Sequence, residues 1–139
     1  MNGYLLDTNV ISELRKIKPH GAVVAWLSNL GQEQIFISAV TFGELQVGIE
    51  LTRDQDSQKA EEIESWANQI IGSYSILPMD TRCFREWARL MHKKTDQLFE
   101  DAMIAATARV HQLTVATRDI KDFQQLQVDI VNPFKMAVL

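Results

Sequence analysis

Asp7, Glu44, Asp101 and Asp119 are the residues of this chain whose setting suits chemistry. Asp7 stops the apolar run Tyr4-Leu5-Leu6, and Thr8-Asn9 then leads into Val10, Ile11 and Leu14 at helical spacing, which reads as strand, tight turn and helix start. Such an acid lies at the carboxyl end of a buried strand, where open α/β sheets leave a crevice for ligands. Asp101 stands within Phe99 to Arg109, a helical stretch dominated by small residues that can pack close to a sheet. An acid near the start of that helix is expected to be partly buried and to need a partner such as a cation. Asp119 comes just past the strand-like run Leu113 to Thr117 and repeats the geometry of Asp7. Glu44 falls in the first turns of a helix after Ile35-Phe36-Ile37, and taken alone Thr41-x-x-Glu44 reads as a capping box.

Four carboxylates brought together without Lys or Arg in the same motifs would repel one another, and hard divalent cations with oxygen ligands relieve that repulsion. Magnesium or manganese is the implied ion. Held by acids, it can orient a water, lower its pKa and stabilise charge on a phosphoryl oxygen during in-line displacement. Hydrolysis of a phosphodiester is the reaction class this suggests.

The acids converge only if the intervening elements carry them to one edge. Val23, Val24, Trp26, Leu27 and Leu30 form a short helix pattern ending at Gly31. Ala60, Ile63, Trp66, Ala67, Ile70 and Ile71 trace one face of a long amphipathic helix that Gly72 is expected to close. Tyr74 to Leu77 reads as a third strand, Asp80 as a cap, Thr81 to Lys93 as a helix and Leu113 to Thr117 as a fourth strand. Strands separated by helices throughout predict an α/β fold, a three-layer α/β/α arrangement with a central parallel sheet of about four to five strands. Right-handed crossovers would put all carboxyl ends on one edge.

At 139 residues the chain fits a single domain spanning 1–139. With 46% hydrophobic and 23% charged residues, and no apolar stretch near the roughly 20 needed to span a bilayer, a soluble protein is expected. The N-terminus lacks the pattern of an export signal, and Cys83 is the only cysteine, so a reducing, cytoplasmic home is expected. His20, His92 and His111 are scattered, which argues against zinc. A net charge of −4 argues against a general nucleic-acid coat, so any such partner must be held locally. The basic clusters are Arg15, Lys16 and Lys18, then Lys93-Lys94, then Arg82, Arg85 and Arg89 on a helical stretch. Solvated surface is the plain reading of each. The first follows the opening turn closely enough to hold a nucleic-acid backbone.

Leu6-Asp7-Thr8-Asn9-Val10-Ile11-Ser12, Thr41-Phe42-Gly43-Glu44-Leu45, Asp101 to Ala108 and Thr117-Arg118-Asp119 together resemble the PIN-domain ribonucleases, and most closely their VapC-type toxin branch. The resemblance runs from about Tyr4 to Phe134, with the four motifs in the family's order. It implies a PIN-like fold and a magnesium-dependent endoribonuclease, the toxin of a toxin–antitoxin pair, working as a homodimer bound by an antitoxin segment. Carried over by position, Asp7 and Asp101 match the family's most direct metal ligands, Glu44 and Asp119 the acids completing the pocket, and Asn9 and Thr117 its polar supports. Thr95 to Glu100 departs from the pattern, which often has a glycine and fewer acids there, so Asp96 and Glu100 could alter substrate access. Two rivals carry less. An aspartyl-nucleophile phosphohydrolase usually needs a second acid two residues after the first, where Asn9 stands, and a non-catalytic RNA-binding or assembly module would be expected to have lost some of the four acids.

Overall fold

The computed structural model describes residues 2–135. Five short strands form one sheet: β1 (Tyr4–Leu6), β2 (Ile35–Ser38), β3 (Ser75–Leu77), β4 (Thr114–Ala116) and β5 (Ile130–Val131). All pairings are parallel, in the spatial order β3-β2-β1-β4-β5. The chain therefore builds outward from β1 in one direction, then returns to lay β4 and β5 on the other side. The reversal of strand order falls between β1 and β4, and it is outside the carboxyl ends at such a switch point that an open sheet leaves a binding crevice.

Side chains alternate across the sheet. Leu5, Phe36 and Val115 point to one face, which is covered by α5 (Thr81–Met91), α6 (Phe99–His111) and α7 (Ile120–Phe123). Leu6, Ile37 and Ala116 point to the other, against α1 (Thr8–Glu13), α2 (Gly21–Ser28) and the Trp66 and Ile70 side of α4 (Ser57–Ser73). A long α3 (Ala39–Arg53) pairs with α4 around Ile49, Ala60 and Ala67. Two apolar layers flanking a sheet buried on both faces explain why its strands are continuous apolar runs. The expected three-layer architecture is thus the observed one. No helix among the described residues is long and apolar enough to cross a membrane.

Several local expectations need correction. The long amphipathic helix runs through Gly72 to Ser73, and Tyr74, in extended backbone, caps it. Thr81 to Lys93 contracts to Thr81–Met91, Leu113 to Thr117 to Thr114–Ala116, and α2 ends at Ser28, ahead of Gly31. Asp80 does cap α5, its Oδ1 accepting from Cys83 N at 3.0 Å. Thr41 does not cap α3. Ser38 takes that place because it ends β2 in extended backbone, and its Oγ accepts from Val40 N at 3.1 Å, leaving Thr41 buried one turn into the helix and Glu44 free to point elsewhere.

The helix α6 lies closest to the sheet. Ala102, Ala105, Ala106 and Ala108 are fully buried along it, and only a methyl-sized side chain lets a backbone approach strands this tightly. It ends at Gln112, which adopts left-handed backbone at φ 58° and turns the chain into β4. Replacing Ala105 by Leu should therefore cost about 1–3 kcal/mol through overpacking. Chemical denaturation measures this, and an unchanged midpoint would show that the helix has room to move.

Candidate functional site

Asp7 follows β1, and its backbone N–H continues the ladder to the Ala116 carbonyl of β4 at 2.9 Å. Its side chain is buried and caps α1, Oδ1 accepting from Thr8 N at 2.9 Å. The other oxygen, Oδ2, accepts from Thr117 Oγ1 at 2.7 Å and from Asn9 Nδ2 at 3.2 Å. Asn9 spans the same gap in both senses: its amide also donates to Thr117 Oγ1 at 3.2 Å, and its Oδ1 accepts from Arg118 N at 3.1 Å. Thr117 Oγ1 in turn accepts from Asp119 N at 2.9 Å. These bonds pin the turn after β1 to the turn after β4, so the two acids that end those strands are fixed relative to each other.

Glu44 comes in from α3. Its Oε1 accepts from Thr8 Oγ1 at 2.9 Å, which ties the second motif to the first and removes the capping-box reading. Asp101 enters from the first turn of α6. Asp101, Asp119 and Asp122 each offer a carboxylate oxygen, all within 4.8 Å of one another.

The electrostatics follow from burial among like charges. Burial raises the Asp101 carboxyl to about 7, helped by Asp7, Asp119, Asp122 and Glu44, all of them acids. Glu44 is likewise raised to about 7, by burial first, then by a hydrogen bond that its protonated form donates to Glu100, and by the charges of Glu100 and Asp7. Asp7 is raised by burial, against the lowering effect of its bonds to Thr117 and Thr8. Asp119 is raised by burial and by Asp122. Thus Asp7, Glu44, Asp101 and Asp119 are brought to one crevice at the switch point.

Two acids beyond those four also belong to this crevice. Asp122 sits three residues after Asp119 at the start of α7, a spacing that returns a side chain to the same helical side; the short α7 made that spacing hard to read in advance. Glu100 meets Glu44, so the unusual acid before Asp101 faces the crevice. The tight group of three contains Asp101 but not Asp7, which lies close enough to be the strongest charge acting on Asp101. Arg15, Lys16 and Lys18 are exposed in the loop after α1, where Lys16 Nζ pairs with Glu13 at 2.9 Å.

Comparisons with known proteins give the family. The family described as PIN domain matches residues 4–128, and the chain belongs to the PIN-domain family. Its relatives fall in the VapC-type toxin branch. It is 36% identical to a VapC ribonuclease of Sinorhizobium fredii, over 96% of this chain and 99% of that protein. To the toxin FitB of Neisseria gonorrhoeae it is 38% identical, over 94% and 97% of the two chains. Among solved structures, that of FitAcB from Neisseria gonorrhoeae superposes with a TM-score of 0.84 at 37% identity, covering 96% of this chain and 99% of that one.

Oxygen donors only, several of them on carboxylates whose neighbours are carboxylates, make a donor set suited to a hard divalent cation. The same repulsion sets a pH dependence. A carboxyl whose folded pKa is raised stabilises the fold below its unfolded value, near 4, and that contribution is lost as pH rises to about 7. In chelator, Asp101→Asn should therefore melt above wild type at pH 7.5, and the gap should close towards pH 5, where the wild-type acid is protonated. Millimolar magnesium should raise the wild-type melting temperature more at pH 7.5 than at pH 5. A variant that melts well below wild type in chelator at both pH values would make Asp101 a structural acid.

Proposed function

We propose that this protein is a metal-dependent endoribonuclease and the toxin of a toxin–antitoxin pair, acting in the cytoplasm as a homodimer. The observation that carries the reading is the trio Asp101, Asp119 and Asp122, with carboxylate oxygens within 4.8 Å at the switch point and Asp7 beside them. Asp7 and Asp101 are the direct holders of Mg2+ or Mn2+ in this reading, with Asp119, Asp122 and Glu44 completing the acidic pocket. When bound, such an ion lowers the pKa of water and offsets charge building on a phosphoryl oxygen.

The chain's own residues do the positioning. Thr117 and Asn9 hold Asp7 Oδ2 by hydrogen bonds at 2.7 and 3.2 Å, aiming the carboxylate, while Oδ1 accepts from Thr8 N and keeps a further lone pair. Glu44, raised to about 7 by burial and neighbouring acids, can accept or release a proton near neutral pH. Arg15, Lys16 and Lys18 offer charge to the RNA backbone beside the opening turn. Support for an antitoxin comes from relatives: solved structures include FitAB bound to a DNA fragment, 36% identical to this chain with a TM-score of 0.77. A cationic antitoxin side chain could pair with the acids in place of metal. Asn9, whose amide holds Asp7, stands where an aspartyl phosphohydrolase would carry its second acid, which disfavours that alternative.

Asp7→Asn and Asp101→Asn should each abolish RNA cleavage and growth arrest on expression while the protein stays folded, and Thr117→Val should lower activity by about 10–100-fold. Cleavage assays with magnesium and a growth assay check this. Full activity in either Asn variant removes that residue from the site. Replacing Arg15, Lys16 and Lys18 together should weaken RNA binding without changing metal affinity, as paired binding titrations would read; unchanged RNA affinity and salt dependence puts the RNA track elsewhere.

A further inference from the structure

Away from the acids, α5 and α6 enclose a groove of about 420 Å³ lined by Arg82, Arg85, Arg89 and Arg109 with Glu86 and Gln112. Arg82, Arg85 and Arg89 recur at helical spacing on α5, and Arg109 closes the groove from α6. Glu86 is the one acid lining it, and it is doubly engaged, accepting from Arg89 Nη1 at 3.4 Å and from Arg109 Nε at 3.2 Å. Arg109 also donates to the Gln127 carbonyl, so its guanidinium is held from two sides. Among the described residues Arg82 and Arg85 have no carboxylate partner within 4.0 Å.

The fold gains little from this arrangement. Arg82 is the second residue of α5, where a cation opposes the helix dipole, and Arg85 and Arg89 are like charges four residues apart, a destabilising spacing. A ring of guanidinium groups with one shared acid is the chemistry that binds phosphate, since the planar fork matches two phosphate oxygens at once. Position selects the phosphate's source. Arg109 lies on the same helix as Asp101, eight residues on, or about 12 Å along the axis at the helical rise. A strand seated on the acids reaches the groove within a few nucleotides.

We propose that this arginine groove holds the phosphodiester backbone of single-stranded RNA a few nucleotides away from the bond placed at the acids. The proposal rests on the ribonuclease reading for its choice of RNA over other polyanions. Its direct test is binding of a fluorescein-labelled single-stranded RNA oligonucleotide to the full protein in chelator, where no cleavage occurs, across a salt series. Arg82→Ala with Arg85→Ala should weaken binding about tenfold at 0.1 M salt. The slope of log affinity against log salt should become shallower by about 1.4, since each phosphate contact on a single strand contributes about 0.7. Arg82→Gln with Arg85→Gln, which keeps long polar side chains without the charge, should make the slope shallower by the same amount, and an unchanged slope there overturns the groove if the alanine pair folds poorly. An unchanged slope in the alanine pair, or a loss confined to duplex DNA, overturns the groove. Cleavage by wild type with magnesium, run alongside, separates the two readings. Cleavage with an unchanged slope leaves the ribonuclease and removes the groove, while an arginine-dependent slope without cleavage does the reverse. Wild type that binds no RNA removes both.

Discussion

The bond from Thr117 Oγ1 to Asp7 Oδ2, 2.7 Å long and buried, is the contact on which the rest of the site depends. It joins the ends of two strands that are neighbours in space and more than a hundred residues apart in sequence. The sheet brings those ends to the same level, because Leu6 is in register with Ala116, and the hydrogen bond then converts a shared level into a shared geometry. A hydrogen bond to a charged group contributes about 1.5–3 kcal/mol, which offsets part of what burial costs this carboxylate. Asn9 adds a second link across the same gap, and Arg118 and Asp119 are placed through backbone N–H groups that the two side chains accept.

What this frame holds in place is repulsive. The carboxyls of Asp101 and Glu44 are pushed to about 7 by burial and by neighbouring acids, so the folded state carries a strain that unfolding would release. Such strain persists only where the surroundings are rigid enough to over-determine it. Here α6 supplies rigidity, with buried alanines seating it against Leu5 and Val115 and the Trp87 indole donating to the Phe99 carbonyl at 3.1 Å where α5 meets it. The small side chains matter for the acid as much as for the core. They bring the first turn of α6, and with it Asp101, up to the ends of the strands.

Much of this was legible in the sequence because it is local. An apolar run that stops at an acid places Asp7 and Asp119, a helix of small residues places Asp101, each by rules that act over a few residues, and the alternation of strands and helices implies the parallel sheet. Less legible were features that depend on long-range partners. Thr41-x-x-Glu44 has the spacing of a capping box, yet Ser38 caps the helix and Glu44 turns to Thr8, a partner 36 residues away. Asp122 looks like an ordinary surface acid until α7 packs beside α6, and Glu100 until α6 meets Glu44 of α3. β5 is two residues long, too short to leave a periodic signal, and exists because β4 offers it a pairing edge. Gly72 failed as a helix stop because it does not enter the left-handed backbone by which a glycine ends a helix.

Net charge is the quantity in which the sequence is least informative. A value of −4 describes neither the crevice, where Asp7, Glu44, Glu100, Asp101, Asp119 and Asp122 gather, nor the α5 and α6 groove, where four arginines face one glutamate. At physiological salt, charges on the surface are screened over about 8 Å. Asp101 and Arg109 are separated by about 12 Å along α6, so a polyanion near either end responds mainly to the charge it touches. An acidic crevice suited to a cation and a basic groove suited to an anion can therefore coexist on a single 13-residue helix without cancelling. One helix thus sets both the place where an ion would sit and the direction from which a phosphate chain would be drawn towards it.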